Sequence, residues 1–214
     1  MERLMKTDGL ILDIDGTLWN STGIVADAWN QAVSEHGYTY DIKPDDLKRL
    51  FGKTMDVIAL ALFPELSDEE RDSLMKRCAE LEQKYLEEDE CKIAYEGVVD
   101  TIKEISGRLP VFIVSNCQSG YIELVSDKLK IEEFITDFEC FGNTGKGKAE
   151  NLATLCRRNN LKKPVYVGDT DGDSEACAEA KVPFIFASYG FGNTENFALS
   201  IESFKELKDC LEPV

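Results

Sequence analysis

The sequence predicts an α/β fold in which a doubly wound, mostly parallel sheet carries an inserted α-helical domain. From Gly97 onward, short apolar runs alternate strictly with amphipathic segments, the pattern of a parallel sheet covered by helices on both faces. Between the first apolar run, 9–12, and the next, 109–114, every periodic segment indicates a helix. We therefore expect a core domain of residues 1–19 and 94–214 and a helical domain of residues 20–93.

Caps, breakers and apolar periodicity define the individual elements. Pro44 opens one helix and Pro64 ends another, while Ser67 and Glu70 form a capping box at the start of a long helix. In the helical domain we expect helices at 26–36, 45–51, 55–63 and from 68 onward. In the core we expect helices at 98–106, 121–129, 148–159, 174–180 and 201–210, and strands at 9–12, 111–114, 137–141, 165–167 and 183–187.

Composition excludes several classes of function. A net charge of −17 repels nucleic acid and anionic lipid, and no apolar run is long enough to span a membrane. The first residues lack the apolar region of a signal peptide, and the odd number of cysteines, seven, contains no Cys-x-x-Cys pair. We expect a cytoplasmic protein with reduced cysteines. The single histidine, His36, excludes a multi-histidine metal site.

Three polar clusters follow three predicted strands, at the point where each strand ends. They are Asp13–Thr17, Ser115-Asn116 and Gly168–Asp173. Because the carboxyl ends of parallel strands meet at one crevice, these clusters are expected to come together around one point. Crowded carboxylates attract a hard cation, so the pattern indicates a Mg²⁺-dependent phosphoryl-transfer site. Asp-x-Asp-Gly-Thr taken alone could equally be a turn.

Two other motifs fail at positions that their chemistry requires. Gly142–Lys148 matches a phosphate-binding P-loop, but Ala149 stands where that loop needs Ser or Thr. The run that begins at Asp169 starts like a calcium-binding EF-hand, but Ser174 and Ala180 replace the Gly and the bidentate Glu. Neither function is expected.

The three polar clusters, together with Lys148, give four motifs in an order that resembles the haloacid dehalogenase (HAD) superfamily. The helical insertion directly after the first motif is similar to the cap of the phosphoglycolate phosphatase and β-phosphoglucomutase branch. The resemblance covers nearly the whole chain, and it consists of Asp13-x-Asp15-Gly16-Thr17, Ser115-Asn116, Lys148, and Gly168-Asp169 followed by Asp173.

This resemblance implies a phosphatase acting on a small phosphorylated substrate. Asp13 would be the nucleophile, and Asp15 the general acid and base. The implied ligands of Mg²⁺ are Asp13, Asp169, the backbone of Asp15 and, through water, Asp173. The implied phosphate-binding residues are Gly16, Thr17, Ser115, Asn116 and Lys148, of which Ser115 and Lys148 also count as catalytic.

Several alternatives stay open at this point. Lys146 lies two residues from Lys148, and Asp171 is an additional carboxylate beside the metal motif. A phosphomutase shares the cap and the second aspartate, although Val25 stands where β-phosphoglucomutase has a cap histidine. A non-catalytic scaffold of the same fold is a further alternative.

The segment 49–54 is the candidate specificity loop of the cap. By resemblance, Gly52 and the cations Arg49 and Lys53 would close over the active site. The alternative is that both cations are ordinary surface residues. The sequence names neither the substrate nor the oligomeric state.

Overall fold

A computed structural model describes residues 4–90 and 92–214 and has eight strands within them. Six form one parallel sheet in the order β4–β3–β2–β5–β6–β7, and a separate parallel pair, β1 and β8, joins the two ends of the described chain. The strands are β1 (Met5–Thr7), β2 (Gly9–Leu12), β3 (Val111–Ser115), β4 (Ile135–Cys140), β5 (Pro164–Gly168), β6 (Phe184–Ala187), β7 (Leu199–Ile201) and β8 (Leu211–Pro213).

Ten α-helices lie in the same described ranges. None of them combines the length and the apolar character that crossing a membrane requires. The helices are α1 (Thr22–Glu35), α2 (Pro44–Leu50), α3 (Met55–Leu62), α4 (Asp68–Glu88), α5 (Val98–Ser106), α6 (Tyr121–Leu129), α7 (Phe141–Thr144), α8 (Lys148–Arg158), α9 (Asp171–Ala180) and α10 (Leu207–Cys210).

The register of the sheet decides which residues meet at its carboxyl edge. The central strand β2 lies between β3 and β5, and Leu12 is level with Ile113 on one side and Val167 on the other. All three strands are buried and mainly apolar, apart from the half-buried Pro164 and the terminal Ser115, as expected for a parallel sheet covered on both faces. The residues that follow them therefore emerge side by side.

The helices α1 to α4 have a hydrophobic cluster of their own. Its buried members include Trp29, Phe63 and Leu74, whereas two other clusters fill the space on the two faces of the sheet. The chain leaves and re-enters the core at adjacent positions, because Asn20 N–H donates to the Ile93 carbonyl and Tyr95 N–H to that of Leu18. These bonds lie at the predicted domain boundaries, 1–19 with 94–214 and 20–93, which stay a prediction.

The structure confirms the predicted fold class and most of the predicted elements. The helix expected at 201–210 is wrong, because Ile201 pairs with Ala187 at the sheet edge and a short 3₁₀ turn follows. Only α10 is helical there, and Leu211 then pairs with Met5 in the small sheet. Pairing with distant strands has overridden the local helical pattern.

Candidate active site

Asp13 lies at the centre of the carboxyl edge, directly after β2. Its side chain is buried, and Oδ2 accepts a hydrogen bond of 2.8 Å from Lys148 Nζ. Its other oxygen, Oδ1, has no hydrogen-bond partner among the described residues. Burial raises the pKa of Asp13 to about 6, and the Lys148 ammonium limits that rise. One carboxylate oxygen is thus held in place and the other is available to a ligand.

Lys148 is the cation of this buried cluster. It is the first residue of α8, is 4% exposed, and bonds both Asp13 and Asp173. Burial alone would lower the pKa of its amine, but the two carboxylates outweigh burial and raise it. Lys146, by contrast, is exposed and lies 3.5 Å from Glu150. Of the two lysines in question, only Lys148 reaches the site.

Asp169 and Asp173 come from the turn between β5 and α9. Thr170 and Asp173 form a capping box, in which Thr170 Oγ1 accepts from the Asp173 amide at 3.2 Å and Asp173 Oδ2 accepts from the Thr170 amide at 3.0 Å. This cap turns the Asp173 side chain back toward Asp13. Asp171, the first residue of α9, is exposed and does not join the cluster.

Three carboxylates are close enough to share one metal ion. One oxygen from each of Asp13, Asp169 and Asp173 lies within 4.8 Å of the other two, and all three residues are buried. Burial raises the pKa of Asp169 well above its usual range, and the neighbouring carboxylates add to the rise. Mg²⁺ prefers hard oxygen ligands, and Asp13 Oδ1 is buried without a partner among the described residues. This cluster of carboxylates therefore fits Mg²⁺. Both oxygens of Asp173 already accept bonds from Lys148 and the Thr170 cap, so protein donors engage Asp173 more fully than Asp13.

A glycine on each side fits closely around Asp169. Gly16 has a φ of +81°, and a Cβ there would lie 2.1 Å from Asp169 Oδ2. A Cβ at Gly190, in the loop after β6, would lie 2.3 Å from the Asp169 Cβ. In the same loop, the Phe191 amide donates to Asp169 Oδ2 at 2.7 Å. Sequence reasoning missed this loop, although the run Tyr189–Gly192 after a predicted strand was an available signal.

Asp15 Oδ1 accepts hydrogen bonds from three side chains. Ser21 Oγ donates at 2.6 Å, Tyr121 Oη at 2.9 Å and Trp19 Nε1 at 3.0 Å. Burial raises the pKa of Asp15, and these three donors oppose the rise. Sequence reasoning missed all three. Because the three bonds occupy one oxygen, a proton carried by Asp15 is directed to the other.

The residues expected to bind phosphate fall into two groups. Ser115 and Asn116 line the cavity beside Asp13, and Asn116 Oδ1 is buried without a partner among the described residues. The amides of Gly16 and Thr17 instead donate to the carbonyls of Trp19 and Ile14. Those two residues therefore shape the turn, and their role in phosphate binding stays a prediction.

A cavity of about 40 Å³, partly open to solvent, lies between this site and helices α1, α3 and α4. Lys53 lines it, and the Gly52 carbonyl accepts a bond of 2.8 Å from Asn116 Nδ2. Arg49 does not line it, because its guanidinium is exposed and pairs with Asp46. The side chains that line the cavity are Asp13, Asp15, Trp29, Phe51, Lys53, Met55, Ile58, Glu82, Ser115, Asn116, Cys117, Gln118 and Tyr121.

Fold and site together define a class: an α/β protein with a carboxylate-centred site at the carboxyl edge of its sheet. The family model of the haloacid dehalogenase-like hydrolases matches residues 10–187. The chain therefore belongs to the family of haloacid dehalogenase-like hydrolases, which confirms the resemblance to that superfamily. A search of curated proteins found no significant match.

Solved structures share the fold at low sequence identity. A protein described as a predicted phosphoglycolate phosphatase, from Haemophilus somnus, has a TM-score of 0.82 at 18% identity, covering 94% of this chain and 96% of its own. A haloacid dehalogenase-like hydrolase from Streptococcus pneumoniae has 0.80 at 16%, covering 98% and 99%. A predicted phosphatase from Clostridium acetobutylicum has 0.81 at 14%, covering 95% and 97%.

Proposed function

We propose that this protein is a Mg²⁺-dependent phosphatase that hydrolyses a small phosphate monoester through an aspartyl-phosphate on Asp13. The observation that carries the proposal is the buried Asp13 carboxylate, with one oxygen on Lys148 and the other without a protein partner. The neighbours described as phosphatases support the same reaction class. Five of the seven cysteines are seen as free thiols, which is in keeping with a cytoplasmic location. They are Cys78, Cys117, Cys140, Cys156 and Cys177.

The metal would be held by Asp13 and Asp169, with Asp173 beside them. When bound, Mg²⁺ supplies positive charge that lets an anionic nucleophile approach an anionic phosphate. Lys148 adds a fixed positive charge at Asp13. Ser115 and Asn116, at the cavity wall, would bind phosphate oxygens.

The reaction proceeds in two displacements at phosphorus. In the first, an Asp13 oxygen forms a bond to phosphorus while the bond to the leaving oxygen breaks, and Asp15 gives its proton to that oxygen. In the second, water attacks the same phosphorus, Asp15 takes up one of its protons, and the bond to Asp13 breaks. Inorganic phosphate leaves, and both aspartates return to their starting state. Ser21, Tyr121 and Trp19 hold Asp15 in position for both transfers.

A phosphatase fits this cavity better than a mutase. Val25, on α1, is fully buried in the hydrophobic cluster of the helical domain and carries no group that could transfer a proton. Residues 20–93 would act as a cap whose α1, α3 and α4 close the cavity over Asp13.

The proposal is tested by phosphate release from p-nitrophenyl phosphate with and without Mg²⁺. We expect turnover that EDTA abolishes and that Asp13→Asn lowers by about 10³-fold or more, because the amide removes the nucleophile and one metal ligand at constant volume. Thermal unfolding of the variant serves as the control for its fold. Unchanged turnover in Asp13→Asn would contradict the covalent mechanism, and no turnover in the parent protein would favour the scaffold.

A further inference from the structure

The helical side of the cavity carries a second buried carboxylate, which the mechanism above does not use. Glu82 lies on α4, is 5% exposed, and lines the cavity that also contains Asp13 and Asp15. Around it the wall is mainly apolar and aromatic. Those apolar side chains are Trp29, Phe51, Met55 and Ile58.

Glu82 is bound only by neutral donors. Its Oε2 accepts from Trp29 Nε1 at 2.8 Å, and its Oε1 accepts from Gln118 Nε2 at 2.9 Å. No Lys or Arg nitrogen lies within 4 Å of it in the described ranges. Burial raises the pKa of Glu82 to about 7, and the negative charge of Asp15 adds to the rise. Glu82 is thus a buried carboxylate without a cation in contact with it, because Lys53, which lines the same cavity, lies more than 4 Å away.

The two hydrogen bonds of Glu82 do not by themselves require a carboxylate at this position. Glu82 joins α1 to the loop after β3 through its two bonds, but a neutral amide could also accept from Trp29 without the cost of burying a charge. A buried carboxylate is favourable where a ligand supplies the opposite charge. Glu82 lines the cavity into which the alcohol part of a substrate bound at Asp13 would extend.

We propose, on the basis of the phosphatase function above, that Glu82 selects phosphate monoesters of amino alcohols by binding their ammonium group. The phosphate would sit at Asp13, with the ester oxygen near Asp15 and the alcohol chain directed toward α4. An ammonium group there gains the Glu82 charge and the faces of nearby aromatic rings. A carboxylate on the alcohol would instead meet the negative charge of Glu82, so an ester such as phosphoglycolate is disfavoured.

Three esters of nearly equal length test this selection in the parent protein. They are 2-aminoethyl phosphate, 2-hydroxyethyl phosphate and phosphoglycolate, which place an ammonium, a hydroxyl or a carboxylate at the same end of the alcohol. With Mg²⁺ present, we expect kcat/KM to fall by about tenfold at each step in that order, since a charge interaction of about 1.4 kcal/mol changes a rate tenfold. A value for phosphoglycolate equal to or above that for 2-hydroxyethyl phosphate overturns the proposal.

The variant Glu82→Gln tests which residue is responsible. In the parent protein the kcat/KM of the amino ester should exceed that of the hydroxyl ester by about tenfold. In Glu82→Gln we expect this ratio to fall to between about 1 and about 2, because the amide keeps the size of the side chain and removes its charge. A ratio is unaffected by the fraction of protein that is active. The matched control is Glu80→Gln, which removes one charge from the exposed face of the same helix and should keep the parent ratio. If Glu82→Gln keeps the same amino-to-hydroxyl ratio as the parent protein, the proposal is overturned.

The phosphatase function and the role of Glu82 would fail in different experiments. If neither the three esters nor p-nitrophenyl phosphate release phosphate, the phosphatase function itself is wrong and this inference with it. If p-nitrophenyl phosphate is hydrolysed but the order of the three esters is not as expected, only the role of Glu82 is wrong. The parent series needs no variant, so it decides the question even if Glu82→Gln does not fold.

Discussion

On the core side of the cavity, Asp13 and Asp173 share the ammonium group of Lys148, whereas on the helical side Glu82 has two neutral N–H donors. Both sides bury carboxylates, but only on the core side does a buried ammonium group lie against them. Its single positive charge stands among three carboxylates, Asp13, Asp169 and Asp173, and the excess negative charge suits the cluster to hold a metal ion. Under the proposed selection, Glu82 leaves its positive partner to be supplied by the substrate. The core side thus carries the residues proposed for the reaction, and the helical side carries the residue proposed to choose the leaving group.

The largest expected effect comes from removing the cation of the core side. Lys148→Met leaves Asp13 and Asp173 buried without their partner, and breaking a buried ion pair in this way costs about 3–5 kcal/mol of unfolding free energy. Urea unfolding at pH 8 without metal measures this. The control is Lys146→Met, whose exposed pair with Glu150 should contribute less than about 1 kcal/mol. Similar losses in the two variants would mean that Lys148 does not stabilise the buried carboxylates.

These core-side residues could be predicted because they directly follow buried strands or begin a helix. Asp13, Ser115 and Asp169 are adjacent in sequence to apolar runs, and the Thr170–Asp173 cap is itself a local motif. The order of the strands then brings them to one edge. Local sequence and one topological rule were sufficient for this part of the site.

The donors to Asp15 and the carboxylate of Glu82 could not be predicted in the same way. Tyr121 and Glu82 lie on helices whose sequences have ordinary amphipathic patterns, and only the packing of α4 and α6 against the core turns them toward the cavity. The C-terminal helix was wrong for a related reason. Its residues pair with β6 and β1, which are distant in sequence. Long-range packing decides these positions.

The stability of the folded protein should depend on pH through Glu82, on the helical side of the cavity. Because the pKa of Glu82 is about 7 in the folded protein against 4.5 for an ordinary Glu, the folded state binds more protons between these values. Its stability therefore falls as the pH rises from about 4.5 to 7. In Glu82→Gln this loss is absent.

Urea unfolding of the parent and of Glu82→Gln at pH 5 and pH 8 measures the effect. We expect the stability of the variant relative to the parent to rise by about 2–3 kcal/mol between the two pH values, from the size of the pKa shift. Any loss caused by the changed hydrogen bonds to Trp29 and Gln118 is the same at both pH values. Asp15, which also lies in this region, is present in both proteins, and the Tyr121 phenol, whose pKa burial raises, stays protonated at both pH values. A constant difference would show that Glu82 is not a buried ionising group.

The smallest expected effect concerns the two cations of the predicted cap loop, which the structure distinguishes. Lys53 lines the cavity and has no acidic partner within 4 Å among the described residues, whereas Arg49 already pairs with Asp46 on the surface. In a chain of net charge −17, an unpaired ammonium at the cavity attracts the anionic phosphate. A charge at this exposure is worth about 1 kcal/mol, so Lys53→Ala should lower kcat/KM about fivefold at low salt. That loss should shrink as ionic strength rises toward 1 M, since salt screens exposed charges.

Arg49→Ala, the matched control, should stay within about twofold of the parent at every salt concentration, because its charge is already neutralised by Asp46. Equal, salt-dependent losses in both variants would mean that net charge alone attracts the substrate and that Lys53 has no special position.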